Sequence, residues 1–237
     1  MKLSDFDVLT FDCYGTLIDW ETGLLDALAP WLDRHGATFD REQILEAYAE
    51  VEARLEEEHP AALYPEILAR AMEALGQRWG LDVREDEART FGASVPDWPA
   101  FPDSPEALQE LGRHFQLVIL SNVDRRSFAG SERRLGVSFD RIFTAQDIGS
   151  YKPDPRNFDY LLEQLKADGI APGKILHTAQ SLFHDHVPAK AAGLATAWID
   201  RRHDKEGWGA TAAPEEEVRP DFRFESLGAM AEAVERE

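Results

Sequence analysis

Asp12 stands directly after the apolar run Phe6-Asp7-Val8-Leu9-Thr10-Phe11 and before Cys13-Tyr14-Gly15-Thr16. A carboxylate fixed at a strand end can attack an electrophilic centre and form an ester, splitting a hard displacement into two easier steps. Gly15 lets the backbone turn closely around such a site. Ser121 and Asn122 follow a second apolar run, Leu117-Val118-Ile119-Leu120, and offer a hydroxyl and an amide. Lys152, within Ser150-Tyr151-Lys152-Pro153-Asp154-Pro155, supplies a cation that can orient a carboxylate and offset charge on an anionic substrate or intermediate. Asp185 lies in a later polar segment, where it could hold that lysine or a water. Taken singly, each has an ordinary explanation: an Asp before a turn is usually a cap or turn former, and a lone Lys is usually solvated. The ordered set, each member at the end of a different predicted strand, is what points to an active site.

The elements that would position these residues alternate along the chain. Phe6 to Phe11 reads as a buried strand. From Leu24 to about Arg89 the character changes: Leu24, Leu25, Leu28 and Leu32, then Ile44, Leu45, Tyr48, Val51 and Leu55, then Leu63, Ile67, Leu68, Met72 and Leu75 recur at helical spacing. Gly36, Pro60, Gly76 and Gly80 punctuate them, so a helical insertion of three or four helices is expected. Beyond it, the pattern predicts a helix over 105–112, strands at 117–120, 142–145 and 174–179, and a helix over 157–168. A short helix over 188–192 and a last strand at 195–199 complete it. Short apolar strands separated by helices imply a parallel sheet covered on both faces, with ligands outside the carboxyl ends of the strands. The fold class is therefore α/β, with a Rossmann-like core of residues 1–18 and 99–237 and a mostly helical cap of residues 19–98. Glu215-Glu216-Glu217 reads as a solvated loop.

The chain has a formal net charge of -20, which argues against nucleic acid or an anionic membrane surface as a partner. No stretch approaches the roughly 20 apolar residues of a membrane span, and a soluble, cytoplasmic protein is expected. Cys13 is the one cysteine, so neither an internal disulfide nor a multi-thiolate metal site is available; a small buried side chain is the expectation for it.

Phe11-Asp12-Cys13-Tyr14-Gly15-Thr16-Leu17, Leu120-Ser121-Asn122 and Tyr151-Lys152-Pro153-Asp154 together resemble the haloacid dehalogenase superfamily across essentially the whole chain. The phosphatases of that superfamily carry a second Asp two residues after the nucleophile, where this chain has Tyr14. They also carry an acid in the fourth motif, where Ala179-Gln180-Ser181-Leu182-Phe183-His184-Asp185 has Gln180. Magnesium prefers hard, charged oxygen ligands, so both departures point away from phosphoryl transfer. Tyr14 resembles the 2-haloacid dehalogenase branch, which works without metal. The resemblance implies Asp12, Lys152 and Asp185 as catalytic residues. It implies Tyr14, Thr16, Ser121, Asn122, Gln180 and His184 around the substrate, with no metal and no cofactor. The substrate would be a small 2-substituted carboxylic acid, converted to the 2-hydroxy acid with inversion at C2. A homodimer is the one protein partner it suggests.

The chain also departs from that branch at Gln180, Leu182 and Phe158, and the branch's carboxylate-binding Arg has only Arg41 and Arg54 as candidates by neighbourhood. Within the branch, Ile18-Asp19-Trp20-Glu21-Thr22-Gly23, His177-Thr178-Ala179, His184-Asp185-His186 and Trp198-Ile199-Asp200-Arg201-Arg202-His203 are similar to the azetidine-2-carboxylate hydrolases. That resemblance implies a strained ring amine, instead of a halide, as leaving group. Two other readings stay open: a magnesium-dependent phosphatase, and a catalytically silent binding protein on the same fold. His177, His184, His186 and His203 read as packing or hydrogen-bonding groups before metal ligands, with His184 or His186 the candidates for proton transfer to an amine. Trp20, Trp98, Tyr48 and Tyr64 either line the cap–core cleft or pack.

Overall fold

The computed structural model describes residues 1–214 and 217–237. Of the acidic run, Glu215 and Glu216 lie outside the described residues. Six parallel strands form one sheet in the order β3-β2-β1-β4-β5-β6. They are β1 (Val8–Phe11), β2 (Gln116–Ser121), β3 (Arg141–Thr144), β4 (Ile175–Ala179), β5 (Ala195–Ile199) and β6 (Phe222–Phe224). Buried on both faces, β1 and β4 are built of apolar or small residues except for His177 in β4. Side chains of β1 and β2 alternate between two cores. Leu9, Phe11, Leu117 and Ile119 join the larger one, which is continuous with the helical insertion. Val8, Val118 and Leu120 join the smaller one on the opposite face, with Phe158 and Ile175.

Four helices follow β1: α1 (Trp20–His35), α2 (Arg41–Glu58), α3 (Tyr64–Trp79) and α4 (Glu85–Gly92). Asp19 caps α1, accepting from Thr22 N, and Asp40 caps α2, accepting from Glu42 N. Gly36 and Gly80 end α1 and α3 in the left-handed conformation. Gly23 lets α1 lie on Trp98, since a Cβ there would sit 2.3 Å from the Trp98 Cγ. The remaining helices are α5 (Ser104–Leu111), α6 (Arg125–Leu135), α7 (Ala145–Ile148), α8 (Arg156–Ala167), α9 (Val187–Ala191) and α10 (Leu227–Glu235).

The structure corrects two expectations. Ala195–Ile199 is not the last strand: β6 pairs beside it, Ala197 opposite Phe222. Ala145 opens α7 instead of ending β3. Helix α6 carried no periodic signal because its inward face is built largely of small residues. Gly130 lies where a Cβ would meet Pro96 at 2.4 Å, and Ser131 is fully buried.

Candidate active site

Strand β1 is flanked by β2 on one side and β4 on the other. The order reverses between β1 and β4, and in such sheets the crevice beyond the strand ends at that point is where ligands bind. Asp12 emerges from β1 and Asp185 from the turn after β4, so the two carboxylates straddle it. Lys152 reaches the same point from the loop after α7. Its ammonium donates to Asp12 Oδ1 at 2.9 Å, to Asp185 Oδ1 at 2.6 Å and to the carbonyl of Leu120 at 2.9 Å. All three side chains are buried.

The second oxygen of Asp12 is equally constrained. Thr16 Oγ1 accepts the N–H of Gln180 at 2.9 Å, which leaves its own proton for Asp12 Oδ2 at 2.8 Å. Both Asp12 oxygens are therefore acceptors, the arrangement a carboxylate requires and a carboxylic acid does not. Burial pushes the pKa of Asp12 up, and the ammonium of Lys152 opposes that rise. Burial alone would lower Lys152, but Asp12 and Asp185 more than reverse this and hold it raised. Asp185 is held well below the usual carboxylate range despite its burial, by Lys152 and by the hydrogen bond from His177.

His177, expected on a strand as a packing or hydrogen-bonding group, does both. It lies fully buried between Thr10 Oγ1, 2.8 Å from Nδ1, and Asp185 Oδ1, 2.9 Å from Nε2. Phe158 packs edge-on against its ring at 5.0 Å. Asn122 makes no hydrogen bond to Asp12. It grips the backbone of Lys152 from both ends of its amide, accepting from Lys152 N at 2.6 Å and donating to Lys152 O at 3.0 Å. Ser121 is buried, and its hydroxyl has no protein partner. The Tyr14 hydroxyl is 2.8 Å from Ser131 Oγ on α6, and its ring packs edge-on to Trp98 at 5.7 Å. Gln180 lies beside Gly15, whose φ of 89° keeps that turn tight, and its side-chain oxygen accepts from Thr211.

His184 lies in a π turn, Leu182–His186. Ser181 Oγ accepts the His184 N–H at 2.9 Å and lies 3.1 Å from Nδ1 of the same residue. Where the Ser181 hydroxyl donates to Nδ1, Nε2 of the neutral ring carries the hydrogen. Enclosure by protein pulls the imidazole down to about 4, so His184 offers a neutral N–H donor at neutral pH. His186 is turned away, against the carbonyl of Ala179.

These groups bound a cavity of about 50 Å³, lined by Asp12, Tyr14, Asn122, Lys152, Gln180, His184 and Asp185 among others. Its roof comes from the insertion: Trp20, Tyr64, Glu52 and Glu56. The two glutamates are the functional candidates that sequence reasoning missed. Tyr48 and Tyr64 both donate to Glu52 Oε1, at 2.7 and 2.5 Å, and Asn122 donates to Glu56 Oε2 at 3.3 Å. Burial pushes Glu52 up to about 7, and burial plus the neighbouring Glu52 pushes Glu56 well above its ordinary value. Their signal was present: on α2 they fall on the Tyr48–Val51–Leu55 face at i, i+4 spacing, where apolar residues belong. Arg41 and Arg54, the candidates for binding a carboxylate, are not in this cavity. Arg41 faces Glu21 and Arg54 pairs with Glu58, both near the surface.

A magnesium ion would not suit this donor set. The ammonium of Lys152 already bridges the two carboxylates, and Tyr14 and Gln180 stand where further acids would be needed. Among the described residues no group of three or more His, Cys, Asp or Glu is arranged to hold a metal.

Residues 6–193 match the family described as haloacid dehalogenase-like hydrolase. The chain is 28% identical over 233 residues to (S)-2-haloacid dehalogenase of Pseudomonas sp. strain YL, covering 96% of this chain and 94% of that protein. It is also 28% identical over 162 residues to phosphoserine phosphatase of Thermus thermophilus, covering 65% of this chain and 59% of that one. Its fold matches L-2-haloacid dehalogenase from Xanthobacter autotrophicus with chloropropionic acid covalently bound, at a TM-score of 0.78 and 20% identity, over 97% of this chain and 98% of that one.

Proposed function

Because the chain belongs to the haloacid dehalogenase-like hydrolase family, we propose that Asp12 attacks C2 of a small 2-substituted carboxylic acid whose leaving group is a cationic ring nitrogen, as in azetidine-2-carboxylate. The observation that carries this reading is the acidic roof. Among the described residues lining the cavity, Asp12, Asp185, Glu52 and Glu56 face one permanently charged cation, Lys152. A 2-haloacid brings only negative charge into that setting, whereas an amino acid brings an ammonium that favours the ionised form of Glu52 and can donate to the carboxyl oxygens of Glu56.

The chemistry needs that ammonium. An amine leaves carbon as a neutral molecule, so the ring nitrogen must be protonated when the C2–N bond breaks. An oxygen of Asp12 forms the new bond to C2 from the opposite side, and the electron pair of the C2–N bond goes to nitrogen. The ring opens to a primary amine, which then takes up a proton beside Glu52 and Glu56. Water next attacks the carbonyl carbon of the Asp12 ester and gives a proton to Asp185, whose Oδ2 has no protein partner. Lys152 offsets the negative charge developing on the former Asp12 carboxyl. The ester C–O bond breaks, the product oxygen recovers the proton, and a 2-hydroxy acid with inverted C2 departs. The helices over residues 20–92 serve as the cap that closes the site and supplies the specificity. His184, in the tautomer that carries hydrogen on Nε2, is the neutral donor left for the substrate carboxylate.

The same attack would expel a halide, and the relatives named 2-haloacid dehalogenases support that second leaving group. A panel containing azetidine-2-carboxylate and 2-chloropropionate, run on wild type and Asp12→Asn, separates the two. Ring opening by wild type alone is the expected result, with heavy oxygen from labelled water entering the Asp12 peptide in a single turnover. Halide release without ring opening would reassign the leaving group. Failure on both, with magnesium-dependent hydrolysis of p-nitrophenyl phosphate, would overturn the proposal.

A further inference from the structure

Glu56 borders two cavities. It lines the site of Asp12, and with Lys152 and His184 it also lines a neighbouring cavity of about 580 Å³. Arg54 and Arg156 stand at the edge of the larger one with side chains 52% and 58% exposed, so it opens to solvent. The Asn122 amide fixes where Glu56 can carry a proton. Asn122 Oδ1 accepts from Lys152 N, so Nδ2 is the donor and Glu56 Oε2 the acceptor. A neutral Glu56 therefore bears its hydrogen on Oε1. That oxygen makes no hydrogen bond among the described residues and, unlike Asp185 Oδ2, is not sealed from its surroundings.

Of the two acids in the roof, Glu56 is the one placed to keep a proton. Glu52 Oε1 receives the hydroxyls of Tyr48 and Tyr64, which favour its ionised form. Glu56 receives one amide. Lys152 directs its ammonium hydrogens to Asp12, Asp185 and the Leu120 carbonyl, leaving none for Glu56. Tyr48 on the same helix, Tyr64 on α3, Tyr151 beside Lys152 and the neutral His184 complete the titratable groups around it. Burial and then the charge of Glu52 hold Glu56 well above the ordinary carboxylate range, and Lys152 opposes them.

We propose that Glu56 is the acid that protonates the leaving nitrogen, through Oε1, and that it regains its proton from the larger cavity. This rests on the reading that the leaving group is a ring amine. As the C2–N bond breaks, its electron pair stays on nitrogen. That pair takes the Oε1 hydrogen, giving an ammonium and the Glu56 carboxylate. Left neutral, the amine could attack C2 again, expel the Asp12 carboxylate and close the ring. The proton removes the nucleophilic pair and makes the opening one-way. Hydrolysis of the Asp12 ester to a carboxylate and an alcohol releases one proton, which balances the one that Glu56 gave.

The test follows azetidine-2-carboxylate turnover against pH for wild type, Glu56→Gln and Glu56→Asp. Wild-type kcat should fall on the alkaline side as Glu56 ionises. Glu56→Gln should lose about a hundredfold in kcat, within the range of general-acid effects, and lose that alkaline limb as well. Glu56→Asp should keep the limb with partial activity. A purely structural role would lower kcat at every pH and leave the limb in place. Infrared spectra of wild type at pH 8 should still show a neutral carboxyl, absent from Glu56→Gln. Turnover by Glu56→Gln close to that of wild type, a retained limb, or no neutral carboxyl in wild type would each overturn the donor while the ring-amine reading stands. Absence of ring opening by wild type would overturn that reading and the donor with it.

Discussion

Lys152 is the residue on which the reaction cavity depends most, because one buried ammonium serves two buried carboxylates. Replacing it with Met should leave both acids without their cation, and breaking a buried ion pair in this way costs roughly 3–5 kcal/mol. The expected outcome is a large fall in thermal midpoint together with loss of turnover, checked by calorimetry and a steady-state assay. Glu52 makes the complementary case. Its carboxyl titrates at about 7 in the folded protein against 4.5 ordinarily. A raised acid binds more protons folded than unfolded, so stability falls as pH rises from the ordinary value through the folded one. That shift corresponds to a loss on the order of 3 kcal/mol. Glu52→Gln should therefore be more stable than wild type at pH 8 and no better at pH 4, as read from denaturant midpoints. The same ionisation gives the two leaving-group readings opposite signatures. For a substrate carrying an ammonium, kcat/KM should rise as pH increases through about 7; for a 2-haloacid it should fall. A common slope for both would remove Glu52 from substrate recognition.

At the scale of elements, helix α2 does two tasks with one face, packing through Val51 and Leu55 while presenting Glu52 and Glu56 to the cavity. How much of this could be read from sequence depends on how the elements announce themselves. The strands beneath Asp12, Ser121 and Asp185 were legible because parallel strands buried on both faces are unbroken apolar runs. The insertion was legible from its helical period. The residues that roof the cavity were not, since periodicity marks a buried face without saying which buried acid turns toward a ligand. Helix α6 was missed because Gly130 and Ser131 build close contact from small side chains, and β6 because three residues give too little alternation. His177 looked like any strand residue; its partners Thr10 and Asp185 are 167 and 8 positions away. Gly23 offers a check on how the insertion meets the rest. Gly23→Ala must push Trp98 aside, and a loss of about 1–3 kcal/mol is expected from such overpacking, measured by urea denaturation.

At the scale of the whole molecule, ties among the described residues join the helical insertion to the rest at separated places, three of them through side chains of the sheet loops. Asn122 reaches Glu56, Tyr151 OH donates to the carbonyl of Ala62, and Arg202 clasps Glu21 and Glu42. The third tie lies outside the reaction cavity, so loosening it should alter access more than chemistry. For Glu42→Gln, KM should change more than kcat; an unchanged KM with reduced kcat would contradict that division. The net charge of -20 bears on encounter as well. A purely anionic substrate is repelled at long range, and salt screens that repulsion over about 10 Å at 0.1 M. Raising ionic strength should increase kcat/KM for a 2-haloacid and leave that of a zwitterionic amino acid nearly constant.

The π turn at Leu182–His186 has a consequence for how this loop can vary. An i→i+5 turn is in effect one residue longer than the α-helical turn it replaces. Wound as an ordinary helix with its residue count unchanged, the segment would turn the later side chains by about 100°. Asp185 would then swing off Lys152 and His177, and His184 would leave the cavity. The π winding, more than the identity of Leu182 or Phe183, is therefore what aims Asp185. A loop one residue shorter should aim the acid from an ordinary helical turn, and a deletion scan across 182–183 would test that relation directly.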